Sequence, residues 1–330
     1  MTVMELNLLI LFQFLVLGVF VAFVLTVFFI YITTDPKPDT RRYDSEKCFI
    51  DQTTGNDQKC PFPSLGDAAS LDLSVVVPSY NEELRLPSML DEAIGFLESK
   101  QKGNKSFTYE VIVVDDGSKD STTKVALEYS KRYSSDRVRV LTLAKNRGKG
   151  GAVRLGMLSA RGRKLLFADA DGATKFADLQ KLEESLQQIK MKEDNMAIVC
   201  GSRAHLQEES ITQRSFFRTV LMYGFHFLVW FLCVRGVKDT QCGFKLMTRE
   251  TAARLFTNLH VNRWAFDVEL LYLAQALDIP ITEVAVNWHE IDGSKMVPVF
   301  SWIQMGKDLV LIRLRYMLGI WRFNDKVKLQ

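Results

Sequence analysis

The sequence predicts an α/β protein whose mostly parallel sheet is covered by helices on both faces and which is anchored in a membrane by one helix. Short apolar, β-branched runs alternate with helical stretches between residues 73 and 202, a pattern typical of such sheets. Ahead of them, residues 6–34 carry no charged side chain. The chain has 42 Lys and Arg against 39 Asp and Glu, a net charge of +3, which is too balanced for a protein that binds nucleic acid through its phosphates.

The membrane helix comes first along the chain. Residues 6–34 number 29, and a helix of that length exceeds the roughly 30 Å of a hydrocarbon core. The run is too long for the apolar region of a cleaved signal peptide, so we expect a retained signal anchor. Positive side chains follow it at Lys37, Arg41, Arg42 and Lys47, whereas residues 1–5 carry only Glu5. The positive-inside rule therefore places residues 1–5 in the lumen and the bulk of the chain in the cytosol, where the five scattered cysteines are expected to be reduced.

Residues 35–70 are expected to be a linker on the membrane surface, because they contain four prolines and show no apolar period. Residues 71–330 form the predicted cytosolic domain. Strands are expected at 73–79, 109–116, 138–143, 164–170 and 197–202, with helices up to about residue 97 and at 121–133, 150–161 and 176–189. Because ligands bind beyond the carboxyl ends of parallel strands, we expect the site at residues 78–82, 115–118 and 169–171.

The clearest chemical motif is Asp169-Ala170-Asp171, at the end of a predicted strand. Two carboxylates on one turn can hold a divalent cation such as Mg²⁺ or Mn²⁺, whose coordination is completed by water and substrate phosphates. A solvated turn is the alternative interpretation, but the position at a strand end favours a metal site.

Two other turns lie at the same predicted edge. In the motif VVDDGS, either Asp115 or Asp116 could accept the imide N–H of a uracil ring while the other caps the next helix. In PSYNE, Tyr80 offers a face for a flat base, although Asn81 or Glu82 could instead cap a helix.

A basic, glycine-rich stretch, residues 146–151, precedes a helix, so its backbone amides and Lys149 could approach a phosphate. Neither GxxxxGK[ST] nor GxGxxG is present there, which argues against a P-loop and a dinucleotide site. Asp239, Asp267 and Glu269 stand beside glycine or apolar residues. Since residues 267 and 269 do not share a helix face, at most one of them points into a site.

In this order the motifs resemble those of family-2 glycosyltransferases, which have the nucleotide-sugar-binding, Rossmann-like GT-A fold. The resemblance covers residues 71–323 and rests on PSYNE, VVDDGS, NRGKGGA, DAD, GSR, DTQCGFK, RWAFDVELL and EIDGSK. Within the family the chain looks most like the enzymes of the endoplasmic reticulum that glucosylate dolichyl phosphate. The resemblance implies UDP-glucose as donor, dolichyl phosphate as acceptor, a divalent metal, inversion at the anomeric carbon and a role in protein N-glycosylation.

The resemblance also implies roles for single residues. The residues around the base and ribose would be Pro78, Tyr80, Glu82, Val114 and Asp116. Asp169 and Asp171 would hold the metal on the diphosphate, beside Ala170 and Lys149, and the phosphates would also contact Arg203 and Lys295. The acceptor phosphate would meet Arg214 or Arg218, and the donor hydroxyls could be oriented by Asp239, Asp267 or Glu269.

Two positions depart from related enzymes. His289 stands where mannosyl-phosphate synthases have an arginine, which favours a glucosyltransferase. Arg263-Trp264 is preceded by His260 instead of the glutamine of the Q-x-x-R-W motif, which argues against a processive polymer synthase. The alternatives are a transferase that uses GDP-mannose and a catalytically inactive membrane scaffold that binds a nucleotide sugar. The intact acidic motifs argue against the scaffold.

Two segments, about 211–235 and 299–323, combine aromatic and basic residues. We expect both to lie as amphipathic helices in the headgroup plane of a membrane. A buried core helix is the alternative for the first segment. A full span is disfavoured there, because only 16 residues, 219–234, lie clear of arginine, against about 20 needed.

Overall fold

The chain begins with a long apolar helix, α1 (Val3–Thr33). The computed structural model describes residues 3–52, 57–192, 194–206, 216–291, 293 and 300–323, with the backbone alone at 3, 5–6, 216–223 and 300–302. Within α1, Asn7–Thr33 is long and apolar enough to cross a membrane, and its most apolar window has a mean hydropathy of 3.0 and no buried residue. At about 1.5 Å per residue, the 31 residues of α1 reach about 46 Å.

After α1, strands and helices alternate as the sequence predicts. The strands are β1 (Cys48–Asp51), β2 (Gln58–Pro61), β3 (Leu71–Ser79), β4 (Tyr109–Asp115), β5 (Val138–Thr142), β6 (Gly162–Ala168), β7 (Ile198–Ser202), β8 (Phe244–Thr248) and β9 (Ile281–Ala285). The helices are α2 (Leu86–Gly103), α3 (Thr122–Tyr133), α4 (Lys149–Met157), α5 (Leu179–Gln188), α6 (Phe216–Leu232), α7 (Arg249–Phe256), α8 (Phe266–Ala276) and α9 (Phe300–Met317). The elements expected between residues 73 and 202 are confirmed, with ends that differ by a few residues.

Seven strands form one sheet, in the order β5-β4-β3-β6-β8-β7-β9. All neighbours are parallel except β8, which runs antiparallel to both β6 and β7. The chain builds β3, β4 and β5 in one direction and then returns to place β6 on the other side of β3. A crevice is expected at the carboxyl ends of β3 and β6, where the strand order reverses. The turns after these two strands contain residues 78–82 and 169–171.

The sheet has a hydrophobic layer on each face. Alternate residues of β3 point to opposite layers, so that Val75 and Val77 pack on one side and Val76 on the other. The layer that contains Val76 also includes side chains of α4, α8 and α9, whereas the opposite layer includes side chains of α2, α3 and α5. This arrangement confirms the α/β class, with helices on both faces of the sheet.

The segment 35–70 differs from the spacer that its composition predicts. It contains the antiparallel hairpin β1–β2, and the side chains of Glu46 and Leu65 are buried against the domain. The contacts that hold the segment are mainly hydrogen bonds to backbone carbonyls and to one buried carboxylate. Such contacts leave no periodic apolar pattern, which is why the sequence did not reveal them.

Candidate active site

Asp169 and Asp171 lie on the turn that follows β6, as the sequence predicts. The backbone N–H of Asp169 donates to Gly243 O at 3.1 Å, and Asp171 Oδ1 accepts the N–H of Ala173 at 3.0 Å. The buried side chain of Ala170 packs into the core between them. These contacts fix the turn through its backbone and leave the Asp169 carboxylate about one-third exposed.

Gly243 makes room for the Asp169 carboxylate. A Cβ atom at position 243 would lie 2.0 Å from Asp169 Oδ2, far inside van der Waals contact. The glycine is therefore required for the carboxylate to occupy its place at the strand end. The motif from Asp239 to Lys245 contains this glycine, but nothing in the sequence alone indicates its role.

Lys149, the first residue of α4, reaches the same carboxylate. Its Nζ lies 2.7 Å from Asp169 Oδ1 and 5.8 Å from the centre of the Trp264 ring. Burial works against the charged ammonium, but the carboxylates of Asp169 and Asp267 outweigh it and raise the pKa of Lys149. Lys149 therefore stays protonated beside the paired aspartates.

Asp267 and Glu269 point in different directions, and each has its own partners. Asp267 forms a buried ion pair with Lys245, whose Nζ lies 2.6 Å from Asp267 Oδ1. Glu269 is fully buried and accepts the backbone N–H groups of His260 at 3.0 Å and Val261 at 2.6 Å. Only Asp267 faces the charges of Lys149 and Asp169. The Glu269 carboxylate supports the loop before α8, so the structure does not place it among the donor-facing acids.

Asp239 holds Arg203 at the end of β7. The guanidinium donates two hydrogen bonds to the carboxylate, from Nε at 2.7 Å and from one terminal nitrogen at 2.9 Å. Although burial opposes ionisation, these bonds and the charge of Arg203 keep the pKa of Asp239 below its usual range. Arg203 also lies over the Trp288 ring at 5.4 Å. Asp239 thus orients a cation, and its own oxygens are occupied.

Asp115 and Asp116 have separate roles. Asp115 accepts the N–H of Ser118 at 2.9 Å and the Thr123 hydroxyl, so it ties the turn after β4 to the first turn of α3 without capping the helix. Asp116 accepts the N–H groups of Arg147 at 2.6 Å and Gly148 at 2.9 Å. Burial raises the pKa of Asp116 to about 6, against the opposing effect of those two donors. Asp116 therefore holds the glycine-rich loop, a connection that the sequence did not predict.

The turn after β3 is joined to the Asp115–Ser118 turn. Asn81, with φ of +54°, donates its N–H to Ser118 Oγ at 2.9 Å and accepts the N–H of Lys119 at 2.8 Å. Glu82 forms an ion pair with Arg85 at 2.5 Å, and the charge of Arg85 also interacts with Asp171. Arg85 thus brings a cation to the edge of the paired aspartates, a role that no motif in the sequence indicates.

The remaining predicted site residues differ in their exposure and in whether the structure describes them. Pro78 and Tyr80 are partly exposed at the end of β3, where a ligand could contact them. The side chain of Val114 is fully buried beneath α4, because strand alternation turns it into the core, so a contact with the base or ribose would have to involve its backbone and stays a prediction. Lys295 and Arg214 lie outside the described residues, and Arg218 belongs to the part of α6 that is described by its backbone alone.

The two carboxylates suit a divalent cation whose coordination is completed by the substrate. Two carboxylate oxygen ligands suit Mg²⁺ or Mn²⁺, which retain other positions for water and phosphate. The pocket kept open by Gly243 positions one carboxylate, and both aspartates lie on one short turn. Within the described part of the chain, no group of three or more His, Cys, Asp or Glu side chains could hold a metal ion by itself. A closed structural metal site is therefore not present among these residues.

The fold and this site are those of a glycosyltransferase of the GT-A type. Residues 74–256 match the model of Glycosyl transferase family 2, and the chain belongs to that family. It is 61% identical to the dolichyl-phosphate beta-glucosyltransferase of Mus musculus over 93% of this chain and 94% of that protein. It is 42% identical to the dolichyl-phosphate beta-glucosyltransferase of Saccharomyces cerevisiae over 96% of this chain and 95% of that protein.

A solved structure supports the fold assignment. Glucosyl-3-phosphoglycerate synthase from Mycobacterium tuberculosis, in a crystal with Mn²⁺, UDP-glucose and phosphoglyceric acid, matches with a TM-score of 0.51 at 19% identity. The match covers 77% of this chain and 82% of that chain. At this level of identity the similarity shows the shared fold.

Proposed function

We propose that this chain transfers glucose from UDP-glucose to dolichyl phosphate with inversion at the anomeric carbon, giving dolichyl β-D-glucosyl phosphate for protein N-glycosylation. The similarity to dolichyl-phosphate beta-glucosyltransferases over nearly the whole chain supports the acceptor and the sugar. The solved relative that holds UDP-glucose has the same fold, which is compatible with that donor.

The observation that carries this proposal is that the paired aspartates lie at the same edge of the sheet as the cations of Lys149 and Arg203. Asp169 and Asp171 lie at the strand end, with Lys149 at 2.7 Å from Asp169 and Arg203 held at the end of β7. Anionic donor and acceptor phosphates repel each other, so a site that joins them must supply positive charge. We propose that Lys149, Arg203 and a bound divalent cation supply this positive charge.

Mg²⁺ or Mn²⁺ would be held by Asp169 and Asp171, where it would neutralise charge on the diphosphate leaving group. Lys149 now shares Asp169 and would turn towards phosphate oxygens when the carboxylate takes up the cation. Arg203, oriented by Asp239, would contact the diphosphate, and we assign Lys295 the same role.

The acceptor does not need a strong general base. A phosphate monoester has a second pKa of about 6 and is therefore a nucleophilic anion near neutral pH. Accordingly, the acidic side chains of the described site are engaged elsewhere: Asp239 with Arg203, and Asp267 with Lys245. We propose that they orient these cations, and that the acceptor oxygen attacks directly.

The membrane-facing parts of the chain suit a lipid acceptor. We propose a single-pass protein of the endoplasmic reticulum membrane, with residues 1–5 in the lumen and the domain in the cytosol. Helices α6 and α9 pack against each other and expose large apolar side chains: Phe227, Trp230, Phe231, Ile303, Val310 and Met317. With Arg235 and Arg313 nearby in sequence, this surface suits the headgroup plane. Arg214 and Arg218 would then meet the acceptor phosphate.

The test is a transfer assay with full-length protein in detergent micelles, dolichyl phosphate and labelled UDP-glucose or GDP-mannose. We expect labelled glycolipid from UDP-glucose, its loss on chelation of divalent ions, and recovery with Mn²⁺ or Mg²⁺. Label from GDP-mannose alone would instead support the mannosyl alternative. UDP binding that does not depend on a metal, without transfer from either donor, would support the inactive scaffold.

A further inference from the structure

The segment that leaves the membrane helix is bound to the domain through its own backbone. We call residues 34–46 the strap. Three of its carbonyl oxygens accept side-chain N–H groups: Asp35 from Trp321 at 3.1 Å, Asp39 from Arg154 at 2.9 Å, and Arg41 from Arg147 at 2.7 Å. Thr34 Oγ1 accepts Arg315 Nε at 3.0 Å. Because carbonyl groups make most of these contacts, the strap fits the domain without an apolar pattern of its own.

At the end of the strap, Glu46 is a fully buried carboxylate. It accepts a terminal guanidinium N–H of Arg147 at 2.7 Å, the backbone N–H of Ala144 at 2.9 Å and that of Tyr43 at 3.0 Å. Arg147 is itself nearly buried and lies over the Tyr43 ring at 5.3 Å. A buried charge is costly unless it is paired and hydrogen-bonded, so this pair holds its two segments together.

Glu46 and Asp116 both accept hydrogen bonds from the glycine-rich loop. Between β5 and α4, Glu46 holds Ala144 and the Arg147 side chain, while Asp116 holds the backbone N–H groups of Arg147 and Gly148. The next residue is Lys149, whose ammonium lies on Asp169. A continuous series of contacts therefore connects Glu46, through Arg147 and Lys149, to Asp169.

We propose that Glu46 is a positioning residue of the active site, which acts through Arg147 to set the place of the glycine-rich loop and of Lys149. Glu46 lies outside the residues, 74–256, that match the family model. The strap thus joins helix α1 to the glycine-rich loop. This inference rests on the proposed function for the choice of ligands, whereas the contacts themselves do not depend on it.

The experiment compares Glu46→Gln with Asp44→Asn in full-length protein in detergent micelles. Asp44 is the matched control, because it lies on the same turn but is 97% exposed and pairs only with Lys47 among the described salt bridges. Calorimetric titration with UDP plus Mn²⁺ is expected to show about tenfold weaker binding for Glu46→Gln, the effect of losing hydrogen bonds to a charged group. Amide exchange at residues 144–148 should become faster in that variant, and Asp44→Asn should match the wild type in both measurements.

A purely structural role would lower the fraction of folded protein and leave the affinity of the folded molecules unchanged. We therefore expect the KM for UDP-glucose to rise more than kcat falls. If Glu46→Gln fails to fold, the same affinity is measured on the double variant Glu46→Gln with Arg147→Met, which leaves no unpaired buried charge. Affinity for UDP plus Mn²⁺ equal to wild type in either folded variant overturns the inference. If the wild type itself does not bind UDP with Mn²⁺, the proposed donor is wrong, while amide exchange still tests the role of Glu46.

Discussion

The ammonium of Lys149 lies 2.7 Å from Oδ1 of Asp169, one of the two carboxylates proposed to hold a divalent metal. A monovalent side chain and a divalent cation would therefore compete for the same oxygen. Replacing the lysine separates its two effects, since the ammonium opposes metal binding to the free protein but stabilises bound phosphate.

We expect Lys149→Met to bind Mn²⁺ alone several-fold more tightly than the wild type and to lose about 10²-fold in turnover, because the developing phosphate charge loses a preorganised cation. Electron paramagnetic resonance of free Mn²⁺ measures the first effect and the transfer assay the second. Lys145→Met is the control, because Lys145 is exposed on the same loop. Unchanged or weaker Mn²⁺ binding by Lys149→Met would contradict the competition.

Asp171→Asn should reduce glucosyl transfer by about 10³-fold, because it removes one of the two anionic ligands that place the metal on the diphosphate. The melting temperature should stay close to that of the wild type, since Asp171 Oδ1 receives one backbone N–H that an amide oxygen can also accept. Asp136→Asn, at a side chain that is 89% exposed, is the control. Full turnover by Asp171→Asn would remove the metal role from this residue.

Gly243→Ala should inactivate the protein without unfolding it. The new methyl group would fall 2.0 Å from Asp169 Oδ2 and displace the carboxylate. Gly95→Ala makes a matched control, because no atom lies within 4 Å of its added Cβ and the residue is inside α2. That control should keep its activity and gain about 0.5–1 kcal/mol in the free energy of unfolding. Near-normal activity of Gly243→Ala in the transfer assay would show that the carboxylate can move without cost.

Binding of UDP-glucose should weaken at acid pH through Asp116. Its pKa is raised to about 6, and the ionised form is the one that accepts the N–H groups of Arg147 and Gly148. If only that form supports the loop, affinity falls about tenfold between pH 7 and pH 5. Calorimetry with UDP-glucose and Mn²⁺, without acceptor, isolates this effect, because the second ionisation of a phosphate monoester is then absent.

The same pKa has a consequence for stability. Since the folded-state pKa lies above the ordinary value of 3.8, folding favours the protonated carboxyl group, and the free energy of unfolding falls as pH rises from about 4 to about 6. Asp116→Asn should remove that part of the slope and also the pH dependence of binding, with affinity low throughout. If Asp116→Asn still lost affinity between pH 7 and pH 5 as the wild type does, another group would be responsible for the pH dependence.

The buried pair of Lys245 and Asp267 should respond unequally to single and double substitutions. Lys245→Met leaves the Asp267 carboxylate buried without its cation and should cost about 3–5 kcal/mol in the free energy of unfolding. Lys245→Met combined with Asp267→Leu should recover most of that loss, because no charge then remains buried. Denaturant unfolding measures both. A double variant as unstable as the single one would contradict this account.

The uncharged run of residues 6–34 predicted the long apolar helix, and the strand–helix pattern predicted the strands from β3 to β7 and the turn that contains Asp169 and Asp171. The pattern is local in each case: an uncharged run, a short apolar strand, or two acids at a strand end. Strands β8 and β9 were not predicted. Residues 244–248 contain Lys245, whose charge interrupts the apolar run and is paired with Asp267, from a helix later in the chain.

By itself, the sequence determined the class of the fold, the long apolar helix that is a candidate membrane span, and the motifs that supply the acids and cations, because each depends on residues close together in the chain. The tertiary structure alone decided which of those acids are available. It turned Val114 into the core, engaged Asp239 and Asp267 with cations, directed Glu269 to the loop at His260, and brought the strap and Glu46 against Arg147. Partners of this kind are separated by 9 to 101 residues, and a buried charge is matched only when the packed chain brings its counter-charge within hydrogen-bond distance.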